Sequence, residues 1–203
     1  MAIITSVPTS GDAWHEWRAG GLGSSDISVL MNTNPWKKIE ELWLDKQGLG
    51  KPQKDNWAMQ KGRTNEPFAR DMYNDKYGTN CEPCNFEYDG WNIMRGSSDG
   101  FCLNSSTLIE IKVPGAADIA KAKLGLVPEK YHAQCQHLML TSGVDKLDYV
   151  TLDTTLPIWD IYVVRLKTNV KYQRELIRRA RWFWHKIENK IPLTLRKARC
   201  IKF

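Results

Sequence analysis

The sequence predicts an α/β (α+β) fold: a central mixed β-sheet flanked by helices. Three observations carry this. The first eighty residues break into helical segments punctuated by glycine and proline. Residues 86–113 hold four short runs of strand composition. Two more helical runs, two apolar strands and a long amphipathic helix follow. The 203 residues, 42% of them apolar, are enough for one sizeable domain with a real core. We expect a single domain over residues 1–203. It divides into an N-terminal helical region (1–80), a sheet core (81–165) and a C-terminal basic helix and tail (166–203).

The elements are justified in order. Thr9-Ser10-Gly11-Asp12 reads as a helix start, and Gly20-Gly21 stop that helix. Ser24-Ser25-Asp26 cap a second short helix, Ile27–Met31. Lys38–Gln47 is helical up to Gly48, and a polar linker, Gly50–Asp55, follows. Trp57–Tyr77 is helical, with Gly62 and Pro67 as weak points, Pro67 suited to begin a new segment, and Gly78 as the stop. Phe86–Tyr88, Trp91–Arg95, Gly100–Leu103 and Leu108–Val113 read as strands. Ala116–Leu124 and Glu129–Thr141 read as helices, Leu147–Leu152 and Ile158–Val164 as strands. Val170–Lys190 is a long basic helix with Ile177, Phe183, Trp184 and Ile187 as core contacts.

Composition narrows the function classes. No stretch has the length of a membrane span, and the first residues lack the basic and apolar regions of a secretion signal. A cytoplasmic protein with no membrane partner is expected. The net charge of +6 is uneven: residues 121–203 carry 17 basic and 7 acidic side chains, against 12 and 16 before them. A polyanion, nucleic acid above all, explains such one-sidedness better than a solvated helix face. Cys81-Glu82-Pro83-Cys84 has zinc-like spacing but lacks two further ligands, so it reads as incidental. Cys102, Cys135 and Cys200 read as reduced thiols. Most of the nine tryptophans are expected in the core or at subunit interfaces, with Trp14 and Trp17 open to stacking on DNA. Gly21-Leu22-Gly23-Ser24-Ser25 is only superficially a phosphate loop, since no Walker lysine follows, and ATP use is not supported.

The chemistry concentrates in Asp99, within Gly96-Ser97-Ser98-Asp99-Gly100, and in Ile109-Glu110-Ile111-Lys112-Val113. Side chains two apart on a strand share a face, so Glu110 and Lys112 point together while Ile109, Ile111 and Val113 point into a core. A hairpin from Asp99 to Glu110 would bring two carboxylates and an ammonium together, a site for Mg²⁺ and a phosphodiester. The same residues also fit a solvated strand face and an ordinary Asp-Gly turn.

Five blocks in order decide between these. They are Trp14-His15-Glu16-Trp17-Arg18 with Gly23-Ser24-Ser25-Asp26; Gly62-Arg63-Thr64-Asn65-Glu66-Pro67; Ser98-Asp99-Gly100; Ile109-Glu110-Ile111-Lys112-Val113-Pro114; and Tyr131-His132-Ala133-Gln134-Cys135-Gln136. Over residues 10–165 the chain resembles the lambda-exonuclease-like (YqaJ-type) viral recombinases and alkaline exonucleases of the PD-(D/E)xK nuclease superfamily. The resemblance implies a restriction-endonuclease-like core and these roles. Asp99 and Glu110 ligate Mg²⁺, with the Ile111 carbonyl as a third ligand and Glu66 completing the acidic shell. Lys112 orients or deprotonates the attacking water. Gln134 holds the nucleophile side, with Tyr131 packed behind it. Arg18 and Ser25 anchor the 5′-phosphate of a DNA end, and Ser105 or Ser106 adds a phosphate hydrogen bond. One departure stands out: the stretch after the Glu-x-Lys strand, Pro114-Gly115-Ala116-Ala117, lacks the basic phosphate contact of lambda-type members, leaving Lys121 or Lys123 to substitute.

The implied activity is a Mg²⁺-dependent 5′→3′ exonuclease on double-stranded DNA ends, with two ions, or Mn²⁺ in their place. It releases 5′-mononucleotides and leaves a 3′ strand for a phage-type single-strand annealing protein. A ring-shaped homotrimer, in the host cytoplasm if phage-encoded, is the assembly the resemblance implies. The alternatives are a structure-specific or restriction-like endonuclease with the same metal core, and a non-catalytic DNA-binding module.

Overall fold

A computed structural model describes residues 2–50 and 55–193. The polar linker, apart from its ends, and the basic tail with Cys200 lie outside the described residues. The elements are β1 (Ala2–Ile4), α1 (Asp12–Ala19), α2 (Ser24–Leu30), α3 (Ile39–Lys46), α4 (Trp57–Tyr77), β2 (Glu82–Tyr88), β3 (Arg95–Cys102), β4 (Thr107–Lys112), α5 (Ala116–Lys123), α6 (Glu129–Ser142), β5 (Lys146–Asp153), β6 (Asp160–Lys167) and α7 (Val170–Glu188). The strands form one sheet in sequence order, β1-β2-β3-β4-β5-β6. Every neighbouring pair is antiparallel except β4 and β5, which run parallel. A parallel pair needs a long crossover, which α5 and α6 supply. The mixed, helix-flanked sheet is the predicted class.

Three apolar clusters hold the layers. Ala69 and Tyr73 of α4 pack on Ile109, Ile111, Val150 and Leu152 from one face of the sheet. Cys135, Leu138 and Met139 of α6 pack on Phe86, Leu108 and Tyr149 from the other. A third cluster joins α2, α3 and α7 through Ile27, Leu30, Leu42, Leu176 and Phe183. In β4 the first two take alternate residues, Ile109 and Ile111 against Leu108, as a sheet buried on both faces requires.

Helix α4 runs unbroken through Gly62 and Pro67, so Pro67 starts no new segment. The proline forfeits one backbone donor. The Asn56 side chain caps the start by accepting from Met59 N at 3.0 Å, and Gly78 ends the helix at φ 62. Helix α2 begins at Ser24 rather than Ile27, because Gly23 takes the N-cap position and its N–H donates to Asp26 Oδ2 at 2.9 Å.

The largest correction concerns β3. Trp91–Arg95 is not a strand. Residues 89–94 form a loop closed by bonds from Trp91 N to Tyr88 O and from Met94 N to Trp91 O, both 3.0 Å. Its apolar side chains serve the helical cluster instead. The strand is Arg95–Cys102, whose middle, Gly96–Gly100, is glycine, serine and aspartate alone. Pairing on both sides builds it against its propensity. Gly96 is there because α6 leaves no room for more. A Cβ on it would overlap Thr141 Oγ1 and lie 3.3 Å from Leu138 Cδ2. Thr141 is fully buried and bonded to the His137 and Leu138 carbonyls. We predict that Gly96→Ala destabilises the fold by about 1–3 kcal/mol, read as a lower urea midpoint at unchanged slope.

None of the nine tryptophans is fully buried, so the core accounts for only part of the expectation that most sit in the core or at subunit interfaces. Trp43, Trp91 and Trp184 are half-buried against the helical cluster, whereas Trp36, Trp57, Trp159 and Trp182 are exposed. An indole N–H is hard to satisfy in an apolar interior. The half-buried Trp17 and Trp184 donate theirs to Glu87 and Glu188. Among the described residues Cys81, Cys84, Cys102 and Cys135 are free thiols, and no helix is long and apolar enough to cross a membrane.

Candidate active site

A fault in the sheet creates the site. Cys84 pairs with Ser98 and Glu82 with Phe101, so two steps along β2 match three along β3. The extra residue makes a β-bulge at Asp99–Gly100, a device that re-aims a side chain. Pairing of β3 with β4 stops at Gly100↔Ile109. Beyond it the Ile111 N–H has lost its strand partner and donates to Asp99 Oδ2 at 2.7 Å. The carboxylate thus takes the position of a backbone acceptor, level with Glu110. Asp99 sits inside β3 rather than at a strand end, and the hairpin turn lies further on, around Leu103–Ser106.

Glu110 is fully buried, which excludes the solvated-face reading. Its Oε1 accepts from Lys112 Nζ and from Gln134 Nε2. Its Oε2 is buried without a hydrogen-bond partner. Arg70 of α4 donates to the Asp99 carbonyl at 2.5 Å and to Glu66 Oε1 at 3.2 Å, which brings Glu66 to the edge of the group. The Tyr131 ring lies 5.6 Å from Lys112 Nζ and stacks on Tyr149.

The electrostatics are those of a crowded anionic site. Burial and the Asp99 charge push Glu110 up to about 8 and Glu66 up to about 7. Burial also raises Asp99, although Lys112 and the Ile111 N–H oppose it. Lys112 is held protonated: burial works against its charge, but Glu110 and Asp99 outweigh it. Three acids share two cations, Lys112 and Arg70, and remain in excess when all are ionised.

These features fit a divalent cation. The orphaned Oε2 is a hard oxygen without a partner, and Asp99, held by the Ile111 N–H, is close enough to repel it. Among the described residues no three His, Cys, Asp or Glu side chains form a ready cage. The donors present are the carboxylates of Asp99 and Glu110, with Glu66 engaged by Arg70; the Ile111 carbonyl and water would have to complete the set.

Next to this group lies a cavity lined by Trp17, Arg18, Gly23, Ser24, Ser25, Arg95, Ser97 and Gln134. Arg18 donates to Ser25 Oγ and lies over the Trp14 ring at 5.1 Å. Arg95 braces the wall by donating to the Trp17 carbonyl. Gln134 is shared, since it lines the cavity and bonds Glu110.

Of the residues selected from sequence, Asp99, Glu110, Ile111, Lys112, Gln134, Tyr131 and Glu66 converge, and Arg18 and Ser25 sit together in the adjoining cavity. Ser105 does not join them. It is exposed in the β3–β4 turn, bonded to Thr107 Oγ1 at 2.8 Å. From Thr107, where β4 begins beyond it, three strand steps of roughly 10 Å in all lead to Glu110. Lys123 is engaged by Asp153 at 3.0 Å and by the Tyr162 ring, so it does not supply the missing basic contact. Sequence reasoning missed Ser97 and Arg95. They stand two and four residues before Asp99, the strand period, a signal hidden by placing the strand at Trp91–Arg95. The glycine-serine segment set aside as a superficial phosphate loop forms one wall of the cavity.

Comparison with known proteins identifies the family and the fold. Residues 13–145 match the model of the YqaJ-like viral recombinase domain. The chain is 26% identical over 137 residues to the uncharacterized protein YqaJ of Bacillus subtilis, covering 66% of this chain and 43% of that one. It is 24% identical over 169 residues to the uncharacterized protein R354 of Acanthamoeba polyphaga mimivirus, covering 74% and 30%. It therefore spans less than half the length of these curated relatives. Among solved structures, the alkaline exonuclease LHK-Exo from Laribacter hongkongensis in complex with dAMP shares the fold at TM-score 0.72 and 24% identity, covering 87% of this chain and 93% of that one. A phage-related exonuclease from Haemophilus somnus 129PT does so at 0.60 and 14%, covering 84% and 96%. On the family match, which covers most of its length, the chain belongs to the YqaJ-like viral recombinase domain family.

Proposed function

We propose that this protein is a metal-dependent deoxyribonuclease that degrades double-stranded DNA from a 5′-phosphorylated end in the 5′→3′ direction. One observation carries the reading. A polar cavity with paired Arg18 and Ser25 abuts a buried carboxylate pair, and Gln134 belongs to both. A terminal phosphate gripped by Arg18 would set the next phosphodiester against Asp99 and Glu110. Arginine suits this task because its planar fork donates two parallel bonds to phosphate oxygens. Each cut that leaves a 5′-phosphate on the remaining strand regenerates the gripped group.

Asp99, Glu110 and the Ile111 carbonyl would hold Mg²⁺. When bound, the ion supplies charge neutralisation at the phosphodiester and acidifies coordinated water. Lys112 Nζ holds a proton beside Glu110 and would orient the attacking water and steady the developing negative charge. Gln134 fixes the Glu110 carboxylate, and Tyr131 packs against Lys112. Manganese as a substitute, a ring-shaped trimer and delivery of the 3′ strand to an annealing protein belong to the same proposal. So does duplex binding by the exposed Lys171, Arg174, Arg178 and Arg181 of α7.

The test is a linear duplex with a 5′-phosphate at one end, a 5′-hydroxyl at the other and a separate label on each strand. Mononucleotides should leave the phosphorylated 5′ end. Lys112→Ala should lower the rate by about 10²–10⁴-fold without weakening end binding. Internal cuts, or equal activity on covalently closed circles, would replace this reading with an endonuclease.

A further inference from the structure

The wall of the cavity contains a buried histidine that the proposed chemistry does not use. His137 lies one turn after Gln134 on α6 and is fully buried. Its Nδ1 is 2.9 Å from Ser24 Oγ, across the α2–α6 contact. Its Nε2 is buried without a partner. Ser24 is 5% exposed and lines the cavity beside Arg18 and Ser25.

The unpartnered nitrogen decides the tautomer. A neutral imidazole carries one N–H and one lone pair. A buried, unpaired N–H is rarer and costlier than an unpaired acceptor. The proton therefore belongs on Nδ1, where it donates to Ser24 Oγ. Charged groups facing the ring are Asp26 and Arg18, of opposite sign. Burial, with Arg18, pushes the histidine down to about 3 against the pull of Asp26, so the ring stays neutral at working pH. With its oxygen already accepting from His137, the Ser24 O–H turns toward the cavity. The other tautomer would draw the Ser24 proton inward and present only lone pairs, which an anion would meet as repulsion.

We propose that Ser24 is a further hydrogen-bond donor to a terminal phosphate in this cavity, and that His137 is the positioning residue that aims its hydroxyl. This rests on the proposed function, because the ligand is the 5′-phosphate of that reading. It adds a donor whose role the sequence did not assign, beside Arg18 and Ser25.

The test needs no catalysis. Affinity of the full chain would be measured without divalent metal for two duplexes that differ only in a 5′-phosphate or a 5′-hydroxyl. Wild type should prefer the phosphate. Ser24→Ala should reduce that preference by about tenfold, the effect of one hydrogen bond to a charged group. His137→Leu should reduce it as much, and the double variant Ser24→Ala/His137→Leu no further. His137→Asn keeps an N–H near the Nδ1 position and should retain the preference within about twofold. A purely structural histidine would show no such rescue. A wild-type preference that survives in Ser24→Ala overturns this inference alone. A wild type that binds both ends equally overturns the proposed function and this inference with it.

Discussion

Glu110→Gln should abolish cleavage while making the metal-free protein more stable. Glu110 is fully buried, one of its oxygens has no partner, and Asp99 and Glu66 repel it. In the folded chain its charge is a liability that a proton, or a bound cation on the proposed reading, relieves. An amide of the same shape keeps an oxygen for Lys112 and Gln134. It replaces the repelled, orphaned oxygen with a donor facing Asp99. The metal-free protein should gain about 1–3 kcal/mol, seen as a melting temperature several degrees higher. Cleavage should fall by about 10³-fold or more, because the lost carboxylate is the one that best neutralises a divalent ion. Excess Mg²⁺ should raise the wild-type melting temperature by linkage, worth about 2.7 kcal/mol at a hundredfold excess over its dissociation constant. The variant should lose that shift. A variant less stable than wild type in chelator would show that Glu110 is held by ordinary structural pairing.

The same cluster sets a pH dependence whose sign can be worked out. The folded chain holds Glu66 at about 7 and Glu110 at about 8, above their unfolded values. These two acids make the folded state bind more protons between roughly pH 4.5 and 8, so their contribution to stability falls as pH rises through that window; below about pH 6.5 the buried neutral His137, pushed down to about 3, works the other way. Chelated wild type should melt progressively lower from about pH 6.5 to 8, and Glu110→Gln should flatten the slope. Asp26 acts outside the window. Burial raises it, but Lys46 at 2.9 Å and Arg18 hold it lower, so its contribution is lost only on acidification.

What the sequence made legible follows from which features are local. Helix α4 and the acid–x–lysine strand were readable because period, caps and stops lie within the segments themselves. Leu176 and Ala180 were missed beside Phe183 and Ile187 on the face of α7 that packs on the helical cluster. Strand β3 was misplaced because nothing local marks Gly-Ser-Ser-Asp-Gly as a strand. Its neighbours impose the extended form, and the bulge that aims Asp99 is visible only in the register with β2. The resemblance implies Ser105 as a phosphate contact, but Ser105 lies exposed in the β3–β4 turn, bonded to Thr107. Ser97, Arg95 and the Ser24–His137 pair depend on contacts between α1, α2, β3 and α6. No spacing rule connects residues 24 and 137.

Removing the Arg18 guanidinium should separate selection of an end from the capacity to cut. Its side chain is held in place before any ligand arrives. It donates to Ser25, lies over Trp14, and packs on Gly23, where an added Cβ would be 3.4 Å from Arg18 Nε. The helix that bears it is pinned at its C-terminal end, where Arg95 reaches the Trp17 carbonyl and Lys46 the Arg18 carbonyl at 3.3 Å. A preorganised cation loses little freedom on binding, so its removal should cost most of what it gives. Arg18→Ala should weaken binding of 5′-phosphorylated ends by about 30-fold or more, the range for a buried charge pair losing one partner. Hydroxyl-ended duplex should be bound and cut nearly as by wild type. Arg18→Lys should recover little, because a point charge lacks the fork that meets two phosphate oxygens. The Mg²⁺-dependent melting shift should survive in both variants, since neither touches Asp99 or Glu110. Loss of that shift together with phosphate preference would mean that the cavity and the acid cluster form one site rather than two neighbours joined through Gln134.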